Sequence, residues 1–178
     1  MANRSKKVVL SARIDPYLKA GMELAATAKN EKIVKMMEEF IETGLAVMTV
    51  DNPFLAIGSR TEKTSFMLIF KCIWSEDEAV YKMRAGGLGP AFAGEYLFAL
   101  HQIVFSEEYF RGEDDLYGDL NGFKEKLKLT PPKRPVNLKR IRDEWSTIND
   151  YCEFLSNNKP FFIQYLDYKR MAEESKAK

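Results

Sequence analysis

The hydrophobic and polar positions near the start of the chain alternate first and then repeat at helical spacing. On one face of an extended segment lie Leu10, Ala12 and Ile14. On the other face lie Lys7, Val9, Ser11 and Arg13. One face is therefore apolar and the other carries charge, which predicts a half-buried strand. The strand should end at Asp15-Pro16, because a proline cannot donate to a strand ladder.

Two amphipathic helices are predicted to follow this strand. Asp15 can cap a helix whose first position suits Pro16, and apolar residues then recur at spacings of three and four as far as about Lys29. Asn30 is the expected break. A second helix is predicted by the same spacing in Ile33, Met37, Phe40, Ile41, Gly44, Leu45 and Met48, with Glu38, Glu39 and Glu42 on its other side.

A segment of about 45 residues is too small to bury an adequate core, so this one needs a partner. The strand and two helices of Lys6 to Met48 resemble the ribbon-helix-helix family of dimeric DNA-binding proteins. In that family, strands from two chains pair into an antiparallel ribbon that lies in the major groove. The resemblance covers roughly a quarter of the chain. It implies a dimerising domain over residues 1–48 and double-stranded DNA as the partner.

The resemblance also implies roles for individual residues. Its base-reading positions match Lys7, Val9, Ser11 and Arg13, and its buried positions match Leu10, Ala12 and Ile14. The phosphate-contacting start of its second helix matches Asn30, Glu31 and Lys32, and Arg4 and Lys6 could add phosphate contacts. A methyl-bearing side chain such as Val9 can touch a thymine methyl group. The turn departs from the family pattern, because it has neither the usual glycine nor a Ser or Thr cap.

The remainder of the chain predicts a mainly α fold, with a linker at 49–63 and a mostly helical C-terminal domain at 64–178 that has one or two strands. The apolar run Thr64 to Trp74 is slightly more typical of a buried strand than of a buried helix. Ser75 is expected to cap a short helix that stops at Gly86-Gly87, and another helix should follow Pro90. Asn137 is expected to cap one long helix, and a last helix is predicted from Phe161 to about Ala172.

Charge is distributed unevenly along a nearly neutral chain. The 178 residues are 46% hydrophobic and 30% charged with a net charge of +1, which fits a globular protein. Residues 1–35 nevertheless carry eight Lys or Arg against three Asp or Glu, where DNA binding would need them. A second basic tract, Lys126 to Arg142, has seven bases and no acid. It could grip phosphates through Lys133, Arg134, Lys139, Arg140 and Arg142, or it could be a solvated helix start.

The remaining reactive residues predict no catalytic or metal site and no cofactor. Cys72 and Cys152 lack metal-ligand spacing and are expected to be buried thiols in a reducing compartment. His101 has no nucleophile arrangement to join. The acidic residues between Glu107 and Asp119 do not match a calcium-loop pattern and are expected to be solvated. No apolar run reaches the length of a membrane span, so we expect a cytoplasmic protein that does not bind membranes.

The leading hypothesis is a sequence-specific DNA-binding homodimer, most often a transcriptional regulator in this family. An accessory factor for plasmid transfer or partition would use the same ribbon. In a different class, the N-terminal segment would be an ordinary edge strand and helical hairpin, and the C-terminal domain would bind a protein partner or close a higher oligomer. An enzyme has little support in the sequence.

Overall fold

A computed structural model describes residues 9–55, 63–120 and 131–176 of the chain. These residues are mainly helical with two small antiparallel strand pairs, which confirms the predicted fold class at that level. The chain divides between Val47 and Met48 into two compact units. We describe each unit by itself.

The N-terminal unit contains two helices, α1 (Pro16–Lys29) and α2 (Ile33–Val47). Helix α1 begins as predicted, because the Asp15 carboxylate accepts a hydrogen bond from the amide of Tyr17 at 2.7 Å. It also ends as predicted: Asn30 adopts the left-handed conformation, with φ 52° and ψ 43°, and its amide bonds back to the carbonyls of Ala26 and Thr27. Asparagine tolerates this conformation better than most residues, so Asn30 takes the place that a glycine usually has in such a turn.

The predicted strand before α1 is not formed within the single chain. Residues 9–14 are neither helix nor strand, and no described segment pairs with them. A strand of an intermolecular ribbon has its hydrogen-bond partners on a second chain, so one chain alone leaves such a strand unpaired. The complete ribbon-helix-helix arrangement therefore stays a prediction.

The C-terminal unit begins with a strand inside the predicted linker. Strand β1 (Thr49–Asp51) pairs antiparallel with β2 (Lys63–Ser65), with Val50 opposite Thr64. Strand β3 (Asp114–Asp115) pairs antiparallel with β4 (Pro135–Val136). The helices of this unit are α3 (Phe66–Ile73), α4 (Glu78–Gly86), α5 (Pro90–Ser106), α6 (Leu138–Asp143), α7 (Trp145–Asn157) and α8 (Tyr165–Lys176).

The core of the C-terminal unit lies between helices α4, α5 and α7. Met83, Leu100 and Ile148 are fully buried in it, and both cysteines are buried free thiols as predicted. The packing of α4 on α5 depends on Gly86, because a Cβ atom there would lie 2.1 Å from the carbonyl oxygen of Leu97. No larger residue fits at this crossing without moving backbone.

The apolar run at 64–74 is a helix, so the preference for a strand was wrong. Ile69, Cys72 and Ile73 are buried on one side of α3. Phe66, Phe70 and Trp74 stack successively along the helix, with ring centroids 6.1 Å and 5.6 Å apart. A spacing of four residues brings rings together on a helix but not on a strand.

Three predicted helix boundaries also need correction. Helix α4 is capped by Asp77, which accepts from the amide of Val80, whereas Ser75 accepts from the amide of Asp77 one step earlier. Asn137 does cap a helix, but the expected long helix is interrupted at Glu144, whose backbone leaves the helical region. The last helix begins at Tyr165 instead of Phe161.

Candidate nucleic-acid interface

The two faces predicted for residues 8–14 are separated in the structure as far as it describes them. Leu10, Ala12 and Ile14 line a groove of about 320 Å³ within the N-terminal unit, together with Met22, Ile33 and Met37. Every second residue of this segment therefore lies along the groove, which Lys19 and Glu23 also line, and all three residues are still exposed. This alternation is the side-chain geometry of an extended segment with one apolar face.

The alternate residues lie outside that groove. Val9 is 94% exposed, and Ser11 and Arg13 are also exposed. Lys7, Arg4 and Lys6 lie outside the described residues. The described part of the predicted base-reading face thus presents a methyl group, a hydroxyl and a guanidinium to solvent. These are groups that can contact base edges in a major groove.

The N-terminal unit has almost no core of its own. Among its described residues only Ala26 and Met36 are buried, although both helices are amphipathic. The predicted apolar stripe of α2 is open to solvent, with Phe40 54% and Ile41 49% exposed. Large hydrophobic residues exposed in this unit are Val9, Leu10, Ile14, Tyr17, Leu18, Leu24, Ile33, Val34, Phe40, Ile41 and Val47. Exposed apolar surface of this extent, among the described residues of the unit, is typical of interaction surfaces.

The turn between the helices contains an ion-paired carboxylate, Glu31, and the backbone amides that begin α2. The amide of Met36 bonds to the carbonyl of Lys32, so the amides of the first turn of α2 have no acceptor within the helix. Lys32 is exposed beside them. The Glu31 carboxylate would repel a phosphate, but one of its oxygens accepts from Lys35 Nζ at 2.6 Å. That hydrogen bond lowers the pKa of Glu31 and keeps its charge paired.

Within the described part of the basic tract, the side chains of Lys139, Arg140 and Arg142 have partners in their own chain. Arg140 donates to the carbonyl of Tyr109 and stacks over its ring at 4.4 Å. Arg142 forms an ion pair with Asp77 at 2.5 Å, and Lys139 forms one with Asp143 at 2.5 Å. These contacts favour the interpretation of the tract as a solvated helix start. Arg134 lies over the Phe105 ring at 5.3 Å, and Lys133 is exposed.

His101 occupies a structural position in the C-terminal unit. It is 5% exposed, and its Nδ1 lies 2.9 Å from the carbonyl oxygen of Met83. Burial lowers the pKa of His101, the hydrogen bond to Met83 opposes this, and nearby Arg134 lowers the pKa further. The histidine is therefore neutral at pH 7 and donates to the carbonyl.

Three carboxylates of the acidic segment bind groups within the C-terminal unit. Asp119 pairs with the buried Arg84, and Asp114 accepts from the amide of Leu138 at 2.9 Å. Asp115 accepts from the amide of Tyr117 at 3.1 Å. Over residues 9–55, 63–120 and 131–176, no group of three His, Cys, Asp or Glu side chains is arranged to hold a metal ion.

Sequence reasoning missed two features of these units. The pairing of Glu31 with Lys35 was signalled by their spacing of four residues at the start of α2. The engagement of Arg140 and Arg142 with Tyr109 and Asp77 had no local signal, because 31 and 65 residues separate the partners.

Comparison with protein-family models, with curated proteins and with solved structures finds no match for this chain. In the part of the chain that the structure describes, every helix is too short or too polar to cross a membrane.

Proposed function

We propose that this chain is a sequence-specific DNA-binding protein, a transcriptional regulator that reads the major groove with a two-stranded ribbon formed by a homodimer. One observation carries the proposal. In the N-terminal unit, an alternating segment turns its apolar face to two helices whose own apolar surface is mostly exposed.

A second copy of the chain fits that surface best. Phe40 and Ile41 lie exposed on α2, and Leu10 and Ile14 are exposed on the preceding segment. Pairing two such segments antiparallel would give each strand the hydrogen bonds that it lacks in one chain, and the helices of one chain would cover those of the other. Burial of apolar surface contributes roughly 25 cal/mol per Å², so the dimer supplies the stability that the single unit lacks.

The opposite face then supplies the contacts to DNA. Arg13 has the planar donor pair that recognises guanine, and Ser11 can bond to several base edges. Val9 can contact a thymine methyl group, and Lys7 can reach a base or a phosphate. A backbone phosphate would be seated by the free amides at the start of α2, next to Asn30 and Lys32. Pairing of Glu31 with Lys35 weakens the repulsion of that phosphate, and Lys35 is shared with Glu39, which lies 3.5 Å from its Nζ.

The test is binding of the purified protein to the DNA upstream of its own gene and to a scrambled duplex across a salt series. Arg13→Ala is expected to lose about 1 to 3 kcal/mol of the preference for the upstream DNA, because it removes a base contact. The matched control is Arg170→Ala, which removes another exposed arginine from the C-terminal unit. The control should keep the preference.

Two outcomes would count against the proposal. Equal and steeply salt-dependent binding of both duplexes by all three proteins would indicate a nonspecific basic surface. Failure to bind either duplex at low salt, in a protein that still dimerises, would favour a protein-interaction module whose exposed apolar face serves only association.

A further inference from the structure

A cavity of about 480 Å³ lies between helices α5 and α7 of the C-terminal unit. Ala99 and Ile103 of α5 face Tyr151 and Leu155 of α7 across it, and Phe162 closes one side. Its volume falls within the range of small-molecule sites, which are mostly apolar and carry few polar groups. Nothing in the proposed DNA-binding function uses this cavity.

Hydrogen bonds between its walls hold the cavity in place. The Tyr96 hydroxyl of α5 donates to the amide oxygen of Asn149 on α7 at 2.7 Å. The Tyr151 hydroxyl donates to the carbonyl of Ile163 at 2.6 Å. The Glu107 carboxylate, just beyond α5, accepts from the amide of Tyr165 at 3.2 Å. These bonds fix the helices and the segment before α8, so the space between them is already formed before anything binds.

The charges at the cavity favour a cation. Two carboxylates line it, Glu95 and the half-buried Glu107, against one lysine, Lys159, which is exposed. Glu95 and Glu107 lie at opposite ends of α5, about 18 Å apart along the helix axis, so a single ligand charge can lie near only one of them. The Glu107 carboxylate already accepts from the amide of Tyr165, so a bound cation would lie beside Glu95, which is exposed, as Lys159 is. Burial, aided by the charge of Glu107, raises the pKa of Tyr151 to about 12, so this hydroxyl adds no negative charge at neutral pH.

We propose that the cavity between α5 and α7 binds a small organic cation with an apolar body and one protonated amine. The apolar body would lie between Ala99, Ile103 and Leu155. The ammonium group would point toward Glu95. This inference is independent of the proposed DNA binding, because it concerns the C-terminal unit alone.

The experiment uses the full chain without DNA and three probes that share one aromatic body. These are 2-naphthylmethylamine, 2-naphthylmethanol and 2-naphthoate, each titrated by isothermal calorimetry. The amine should bind most tightly and the carboxylate least tightly. Glu95→Gln should weaken the amine about two- to fivefold, as expected for a partly exposed ion pair, and leave the alcohol unchanged. The matched control is Glu153→Gln, an exposed glutamate of α7 outside the cavity, which should change neither.

A second pair of variants tests the location. Ala99→Phe fills the cavity from α5, and Ser156→Phe fills it from the exposed end of α7, where the fold tolerates a larger side chain. Both should abolish binding of the amine. Undiminished binding in both filled variants, tighter binding of the carboxylate than of the amine, or no heat with any probe at millimolar concentration would overturn the proposal.

Discussion

The hydroxyl of Tyr165 lies 2.6 Å from a carboxylate oxygen of Glu144. This hydrogen bond connects the first residue of α8 to the residue between α6 and α7. The same carboxylate accepts from the hydroxyl of Tyr109 and from Lys169 Nζ at 2.9 Å. Burial by itself raises the pKa of Glu144. The hydrogen bonds from Tyr109, Tyr165 and Lys169 outweigh that effect and hold the pKa below its ordinary value of 4.5.

Replacing Glu144 with Gln should therefore destabilise the C-terminal unit. We expect a loss of about 1 to 3 kcal/mol in the free energy of unfolding at pH 7, because hydrogen bonds to a charged acceptor become hydrogen bonds to a neutral one. Urea unfolding followed by tryptophan fluorescence measures this loss. Both tryptophans, Trp74 and Trp145, lie in the C-terminal unit and report on it alone.

The pH dependence of that difference follows from the lowered pKa. Glu144 contributes its stability above the unfolded pKa of 4.5, and the contribution is lost as pH falls through the lower folded value. The difference in the free energy of unfolding between wild type and Glu144→Gln should disappear in that pH range. Glu153→Gln, on the exposed side of α7, should stay within about 0.5 kcal/mol of wild type. Equal stability of Glu144→Gln and wild type at pH 7 would refute the role of the network.

His101 predicts a second pH dependence at a higher pH. Burial keeps its pKa below the ordinary 6.5, so the unfolded chain takes up a proton before the folded one does. Stability contributed by neutral His101 is complete above pH 6.5 and declines as pH falls below it. His101→Leu should be less stable at pH 7 because the Met83 carbonyl loses its donor.

The comparison between wild type and His101→Leu isolates this titration, since His101 is the only histidine in the chain. Between pH 7 and pH 5, wild type should lose more stability than the variant does. Parallel pH profiles for the two proteins would show that His101 is protonated equally in the folded and unfolded states.

The crossing of α4 over α5 predicts a severe effect for Gly86→Ala. A Cβ atom would meet backbone at 2.1 Å, so the helices must separate, and we expect a loss of several kcal/mol, on the order of 3. Gly118→Ala is the control. A Cβ at Gly118 would have its nearest neighbour, Asp115 Cβ, at an ordinary 3.5 Å. Its urea midpoint, read by the same fluorescence, should stay close to that of wild type.

Local patterns were enough to predict the helices of the N-terminal unit. Asp15 and Asn30 mark the ends of α1 through contacts within five residues, which a sequence displays directly. Helix α3 was misjudged because the aromatic and β-branched content of the run, which is typical of strands, outweighed the one-sided helical spacing of Ile69, Cys72 and Ile73. The spacing of four between Phe66, Phe70 and Trp74 was the helical signal in the sequence, and the stacking of Phe66 on Phe92 at 6.2 Å adds a tertiary contact.

The sequence predicted which residues of the candidate interface share a face, but it did not predict the contacts that the basic side chains make. Alternation over 8–14 anticipated that Leu10, Ala12 and Ile14 would share one groove. The ion pairs of the basic tract were not predictable, because Arg142 and Asp77 are brought together only by the tertiary fold. Charge clusters in a sequence cannot reveal such distant partners.

The exposed apolar residues of α2, Phe40 and Ile41, predict a dimer that a single charged substitution disrupts. Ile41→Glu would place a carboxylate in the proposed interface, where it could not be solvated, so we expect a dimer of wild type and a monomer of the variant at micromolar concentration. Thr43→Glu adds the same charge to the same helix two residues away, at another exposed position, and should leave the dimer intact. Sedimentation velocity across a concentration series measures both. A wild-type monomer at micromolar concentration would rule out the ribbon, because each unit would then leave its apolar surface in water.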